Sequence, residues 1–166
     1  MVKGMGGHQT HGNGANVWLT PPGLIEKLGP FDLDPCFGEP RPWATAEVHY
    51  GPEDNGLSLR WHGLVWCNPP YDRDAGAWLR RMAEHRNGIA LIFARTETAV
   101  FHELVFEQAN AALFLRGRLH FHHPDGRRAA HNAGAPSVLV AYGGNAAERL
   151  LNADIAGRFV RLEVPW

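Results

Sequence analysis

At residues 64–71 the chain reads LVWCNPPY, a short apolar run followed directly by a polar tetrapeptide. The apolar run predicts a buried β-strand over residues 64–67. Two successive prolines fix the backbone after that strand and keep Asn68 extended. Asn before Pro also begins many simple turns. A binding site is the other interpretation, because open α/β sheets bind ligands at the carboxyl ends of their strands.

The tetrapeptide combines a side-chain amide, backbone carbonyls and an aromatic ring. The Asn68 side-chain oxygen and the Pro69 carbonyl could accept the two hydrogens of an NH2 group, while Tyr71 stacks on the ring that carries it. Pro70 removes a further N–H donor and adds rigidity. We therefore predict a planar amine as the target and Asn68, Pro69, Pro70 and Tyr71 as the catalytic residues.

The composition is that of one ordinary globular domain. The chain has 166 residues, of which 45% are hydrophobic and 20% are charged, which suits a single core. The glycine-rich residues 1–16 predict a flexible arm, and residues 17–166 predict one catalytic domain. The net charge of −1 gives no global sign of nucleic-acid binding. Any basic surface must therefore be local.

The sequence does not support a membrane protein or a disulfide-stabilised protein. No apolar run approaches the roughly 20 residues of a membrane span, and the N-terminus lacks the apolar core of a signal peptide. We therefore expect a cytoplasmic protein without membrane contact. Cys36 and Cys67 are too few for a disulfide framework and are expected to be small buried residues. A redox pair is the alternative, because the strands before them could be neighbours.

Helical and strand patterns alternate from residue 20 onward. The first helix has Thr20 as its predicted N-cap and ends at Gly29. Further helices are predicted over residues 75–86, 98–110 and 146–151, and further strands over residues 31–34, 89–93, 111–115 and 159–164. Residues 119–121 and 137–142 are expected to pair as an antiparallel hairpin, and residues 37–55 to be irregular. This order predicts a three-layer α/β domain with a mostly parallel sheet and an antiparallel C-terminal hairpin.

Three short motifs are candidate walls of a cofactor site. Asp34-Pro35-Cys36 follows the first strand, where a carboxylate can accept from a ribose hydroxyl or a cationic amino group, or can simply cap a turn. Trp18-Leu19-Thr20-Pro21 could supply an aromatic wall or ordinary packing. Asp54-Asn55-Gly56-Leu57 could place an acidic group near an adenosine or form a plain turn.

Residues 116–132, here called the basic segment, concentrate positive charge that the net charge hides. This segment holds Arg116, Arg118, Arg127, Arg128, His120, His122, His123 and His131. Arginines beside Phe121 suit phosphate contact and base stacking, although a solvated loop is the alternative. The histidine spacing does not match structural zinc, so no metal site is predicted.

Together these motifs resemble the phage-type DNA N-6-adenine methyltransferases. The resemblance rests on WLTP (18–21), FDLDPC (31–36), NGL (55–57), WHG (61–63), NPPY (68–71), ART (94–96), RGR (116–118) and the stretch 132–137. It covers nearly the whole chain after residue 16. One departure is the absence of the glycine-rich loop of many methyltransferases, in whose place Phe37-Gly38 stand.

The resemblance implies a Rossmann-like class I methyltransferase fold, S-adenosylmethionine as methyl donor and DNA as the partner. With the motifs above, it gives the cofactor-binding set Trp18, Thr20, Pro21, Asp34, Pro35, Cys36, Asp54, Gly56, Leu57 and Asn68. The DNA-binding set is Arg95, Arg116, Arg118, Arg127, Arg128 and Asn132. The implied reaction is methylation of adenine N6 in a phage or bacterial modification system, with a monomer as the default state.

The tetrapeptide by itself does not select adenine. Asn-Pro-Pro-Tyr also suits methyltransferases that act on cytosine N4, on an RNA base or on a protein glutamine, since all of these targets are planar amines. A non-catalytic DNA-binding protein of the same fold is the alternative from another class.

Overall fold

The computed structural model describes residues 18–70 and 75–163. The predicted arm, residues 1–16, and the predicted stacking residue Tyr71 lie outside the described residues. The helices are α1 (Pro22–Leu28), α2 (Ala75–His85), α3 (Ala99–Phe101, followed by a π-helical turn, His102–Phe106) and α4 (Gly144–Asn152). The strands are β1 (Leu33–Asp34), β2 (Val48–His49), β3 (Val65–Cys67), β4 (Gly88–Phe93), β5 (Ala111–Leu115), β6 (Ser137–Tyr142) and β7 (Gly157–Arg161).

The strands form one sheet in the order β2-β1-β3-β4-β6-β5-β7. The pairs β2/β1, β1/β3 and β3/β4 are parallel, whereas β4/β6, β6/β5 and β5/β7 are antiparallel. The predicted change from a parallel to an antiparallel sheet is therefore confirmed. No helix within residues 18–70 and 75–163 is long and apolar enough to cross a membrane.

Helices cover both faces of the sheet. In β3 the side chains alternate, so that Val65 and Cys67 pack with α2 and α3 while Trp66 packs with α1 and α4. The central strand β4 is buried over nearly its whole length, as its unbroken apolar sequence predicts for a strand covered on both sides. The three-layer α/β prediction is confirmed by these two core clusters.

The predicted hairpin is wrong in its pairing. Residues 119–121 form no strand, and β6 pairs with β4 and β5 instead. The Leu119 and Phe121 carbonyls accept hydrogen bonds from Ala133 and Ala129 within the same connection. The strand was predicted from the apolar side chains within residues 119–121. The backbone carbonyls of Leu119 and Phe121 are instead satisfied by hydrogen bonds within the loop.

Strand β2 was not predicted, because residues 37–55 lack a regular pattern. Two residues are too few to show an alternation. The strand exists because backbone hydrogen bonds join it to β1 and the residue before β1. Val48 N–H donates to the Asp32 carbonyl, and Tyr50 N–H, directly after β2, donates to the Asp34 carbonyl, both at 3.0 Å.

Two helix predictions also need correction. Pro21 occupies the N-cap position of α1 without a side-chain cap bond, and the Thr20 hydroxyl bonds elsewhere; Gly29 ends the helix as predicted. The helix predicted over residues 98–110 is α-helical only in α3 and continues as a π-helical turn. The Thr98 hydroxyl caps α3 by accepting from Phe101 N–H at 3.3 Å.

The topology brings several connections to one edge of the sheet. Strands β1, β3 and β4 are parallel neighbours, so their carboxyl ends lie at the same edge. Strand β5 is antiparallel to β6, as β4 is, so β5 ends at this edge too and β6 begins there. The segments after Asp34 and Cys67 and the basic segment between β5 and β6 therefore share one side of the molecule.

Candidate active site

A cleft of about 290 Å³ lies at this edge, between the turn after β1 and the tetrapeptide after β3. The predicted residues that line it are Trp18, Pro35, Cys36, Asp54, Asn68, Pro69 and Pro70. Among the predicted catalytic and cofactor-binding residues that the structure describes, those that do not line it are Thr20, Pro21, Asp34, Gly56 and Leu57. Its remaining described lining residues, which sequence reasoning missed as site residues, are Phe37, Gly38, Arg41, Gly51, Pro52 and Trp78.

The side chain of Asn68 is held in one orientation. Its Nδ2 donates to the Trp18 carbonyl oxygen at 3.3 Å and to Thr20 Oγ1 at 3.2 Å. Both amide hydrogens are thereby used, while Oδ1 is buried and has no hydrogen-bond partner among the described residues. An unmade hydrogen bond at a buried polar atom costs about 1–3 kcal/mol. Because Asn68 also lines the cleft, this acceptor is a candidate hydrogen-bond partner for a ligand that donates.

Asp34 ends β1, and its carboxylate is buried beneath the cleft lining. It accepts hydrogen bonds from the Thr45 hydroxyl and from Cys36 N–H, and Arg41 Nη1 lies 3.7 Å away. Burial raises the pKa of Asp34, while the Thr45 bond and the Arg41 charge act in the opposite direction. In this arrangement the carboxylate fixes the turn that carries Pro35 and Cys36 into the cleft wall.

The two cysteines meet at the ends of neighbouring strands. Cys36 and Cys67 are free thiols whose Sγ atoms lie 3.6 Å apart, and β1 pairs with β3. The hydrogen bond with Cys67 and then burial raise the pKa of the Cys36 thiol well above its ordinary value. A protonated thiol is a poor nucleophile. These contacts favour packing over redox chemistry.

The loop between β2 and β3 forms the wall opposite Asn68. Asp54 Oδ2 accepts from Gly51 N–H at 2.8 Å, and the Gly56 carbonyl accepts from Trp61 Nε1 at 2.8 Å. A Cβ at Gly56 would lie 2.0 Å from the Pro35 carbonyl oxygen. Glycine is therefore required where this loop approaches the turn after β1.

Flat aromatic surfaces border the cleft. Trp18 is 41% exposed, which is unusual for so large an apolar side chain in the described part of the chain. Trp78 stacks against Trp61 with ring centroids 6.3 Å apart and an interplanar angle of 19°. In the sequence Trp78 is one of the apolar residues of α2, at helical spacing with the buried Met82. Helical periodicity gives no sign that one residue of that face reaches a cleft.

A family model described as DNA N-6-adenine-methyltransferase (Dam) matches residues 7–152. The chain belongs to this family. Comparison with curated proteins and with solved structures finds no match. Membership of the Dam family implies DNA methyltransferase activity, with DNA as the substrate and S-adenosylmethionine as methyl donor. The resemblance drawn from the motifs is thereby confirmed.

For a member of the Dam family, the position of the basic segment next to the cleft is informative. His122 and Leu19 exchange backbone hydrogen bonds of 2.9 and 3.0 Å. The Trp18 and His123 rings lie 5.3 Å apart, and Trp43 meets His122 edge-on at 5.3 Å. Residues 18–20, which hold Asn68, are thus joined directly to the basic segment.

The predicted DNA-binding side chains differ in how free they are. Arg118 is exposed, but its Nη1 already donates to the Ala133 and Gly134 carbonyls at 3.1 and 2.7 Å. Arg127 pairs with Asp125 at 2.6 Å on an exposed surface, where such a pair adds little stability. The remaining members are exposed: Arg95, Arg116, Arg128 and Asn132. No group of three or more potential metal ligands occurs within residues 18–70 and 75–163.

Proposed function

We propose that this protein is an S-adenosylmethionine-dependent methyltransferase that methylates the exocyclic N6 amine of adenine in DNA. The observation that carries the proposal is the buried Oδ1 of Asn68, an acceptor without a partner in the described residues, in the cleft of a Dam family member. The parallel-to-antiparallel sheet supports a Rossmann-like class I methyltransferase fold.

The cleft suits the proposed cofactor. It combines aromatic surfaces at Trp18 and Trp78 with a carboxylate at Asp54, so that a purine ring and ribose hydroxyls both find partners. Pro35 and Cys36 form the wall nearest to Asn68 along the sheet edge. When bound, S-adenosylmethionine would supply a methyl group on a sulfonium centre. The predicted cofactor-binding residues that do not line the cleft would instead hold the lining residues in place; these are Thr20, Pro21, Asp34, Gly56 and Leu57.

Asn68 would activate the amine through hydrogen bonding. An exocyclic adenine amine is a poor nucleophile, because its lone pair is delocalised into the ring. Asn68 Oδ1 and the Pro69 carbonyl accept the two amine hydrogens, which favours a tetrahedral nitrogen and frees its lone pair. Asn68 cannot ionise, so it acts by position and electrostatics rather than as a strong base. The proton leaves after the methyl group has been transferred, when the nitrogen is far more acidic.

DNA would bind across the edge that carries the basic segment. Arg95, Arg116 and Arg128 are exposed and free to contact phosphates. Tyr71 directly follows Pro70 in the chain, and we propose it as the stacking partner of a base turned out of the duplex.

Labelled S-adenosylmethionine and mixed DNA, followed by nucleoside analysis of the product, test the function. We expect N6-methyl-2′-deoxyadenosine. Detection of N4-methyl-2′-deoxycytidine would instead identify another planar amine as the methyl acceptor. Absence of both the product and S-adenosylmethionine binding would contradict the proposal and favour a non-catalytic DNA-binding protein.

Removal of the Thr20 hydroxyl is expected to make the orientation of the Asn68 side chain less fixed. Thr20→Val keeps the shape but leaves Nδ2 with the Trp18 carbonyl alone. Loss of one neutral hydrogen bond predicts a fall in single-turnover rate of roughly 3- to 10-fold. Thr20→Ser, which retains the hydroxyl, should stay close to the wild type. Equal rates for Thr20→Val and the wild type would show that this bond does not position Asn68.

A further inference from the structure

Arg41, in the connection between β1 and β2, is a nearly buried cation in the cleft wall, with a side chain only 5% exposed. Its Nε donates to the Gly38 carbonyl at 2.9 Å and its Nη1 to Thr45 Oγ1 at 3.3 Å. The guanidinium carbon lies 3.8 Å from the centre of the Phe37 ring. Together with Asp34, 3.7 Å away, these contacts fix the guanidinium plane.

These contacts leave part of the guanidinium unused. Arginine has five N–H donors and remains charged in proteins. The Nη2 group of Arg41 makes no hydrogen bond within residues 18–70 and 75–163. Nη2 is not among the buried polar atoms that lack a partner in the described residues, and Arg41 lines the cleft. Its remaining donors are therefore accessible to an anionic or strongly accepting ligand in the cleft.

The charged side chains of the cleft lining narrow the class of ligand that the cleft can bind. Arg41 and Asp54 are the charged side chains among the described lining residues. A fixed guanidinium matches a carboxylate through paired N–H···O bonds. S-adenosylmethionine carries one carboxylate, on its amino-acid portion. Building on the function proposed above, we propose that Arg41 binds the carboxylate of the cofactor's amino-acid portion.

A DNA phosphate is the competing ligand for a cation. Phosphate contacts are made at the surface of a protein by arginines that can reach the duplex. Arg116 and Arg128 are exposed, whereas Arg41 is held beneath Phe37 and beside the buried Asp34. This placement favours a small ligand that enters the cleft.

The test compares two ligands that differ only in the carboxylate. S-adenosylhomocysteine and its decarboxylated analogue are titrated calorimetrically into the full chain. One charge-assisted contact predicts that the wild type binds the analogue about 10- to 100-fold more weakly. Arg41→Met should bind both ligands equally, and Arg41→Lys, which lacks the planar fork, should show a reduced ratio. Arg158→Met, an exposed change on β7, should retain the full ratio.

The ratio is taken within each variant, so it does not depend on how much protein is folded. Because Arg41→Met leaves the buried Asp34 without its cation, the pair Asp34→Asn/Arg41→Met serves if the single variant does not fold. Equal binding of both ligands by the wild type would overturn this inference alone. If Arg41→Met kept the wild-type ratio between the two ligands, the inference would also be overturned. Weaker DNA binding by that variant would then indicate that Arg41 contacts a DNA phosphate. Binding of neither ligand by the wild type would overturn the proposed function and this inference with it.

Discussion

Asn68→Ala is expected to lower the methyl-transfer rate by about 10²–10³-fold, the effect of removing one preorganised polar group from an active site. The variant loses the buried Oδ1 acceptor, so the target amine keeps its delocalised lone pair. Cofactor affinity should stay near the wild-type value, because the aromatic and charged walls of the cleft remain. Single-turnover methylation of DNA measures the rate, and titration with S-adenosylhomocysteine measures the affinity.

Asn152→Ala is a suitable control, since Asn152 is exposed on α4 and its amide donates to the Glu148 carbonyl of the same helix. It should methylate DNA at the wild-type rate. A normal rate in Asn68→Ala would disprove the proposed mechanism. Loss of rate together with loss of cofactor binding would instead make Asn68 chiefly a structural part of the cleft.

Gly56→Ala is expected to have the second-largest effect, on both the fold and the cleft. The added Cβ would lie 2.0 Å from the Pro35 carbonyl oxygen and 3.2 Å from Trp78 Cη2. Because the nearest atom belongs to the backbone, the loop after β2 must move away from the turn after β1. Overpacking of this kind costs about 1–3 kcal/mol of stability. Separation of the two walls should also weaken S-adenosylhomocysteine binding.

Thermal unfolding and calorimetric titration measure the two effects of Gly56→Ala. Gly144→Ala is the matched control, because no described atom outside its chain neighbours and its own helix backbone lies within 4 Å of the added Cβ. Alanine is also favoured over glycine in a helix such as α4. It should unfold at the wild-type temperature or slightly above. If Gly56→Ala behaved like Gly144→Ala, the close contact between the walls would be unimportant.

Local sequence was sufficient to predict an element wherever the pattern of neighbouring residues favoured a single secondary structure. The unbroken apolar run of β4 predicted a strand covered on both faces, and α1 ended at Gly29 as predicted. The motif at residues 64–71 likewise placed Asn68 directly after a buried strand.

Local sequence failed where a residue's partner is distant along the chain. Thr20 has the side chain of an N-cap, yet its hydroxyl bonds to Asn68, which lies 48 positions away. Trp78 belongs to an apolar helix face, yet it borders the cleft. Arg41 lies in a stretch without periodic pattern, so nothing in its neighbourhood distinguished it from a solvated arginine.

The sequence by itself determined the alternation of helices and strands, the family and the residues Asn68, Pro69 and Pro70 at a strand end, because these depend on side chains a few positions apart. Residues 64–71 thus specified a rigid amide after a strand. The tertiary structure alone decided which atom of that amide is free, because the Trp18 carbonyl and the Thr20 hydroxyl take both Nδ2 hydrogens. It also decided that Arg41 faces the same cleft and that the basic segment adjoins it, since strand order and direction bring distant loops to one edge of the sheet.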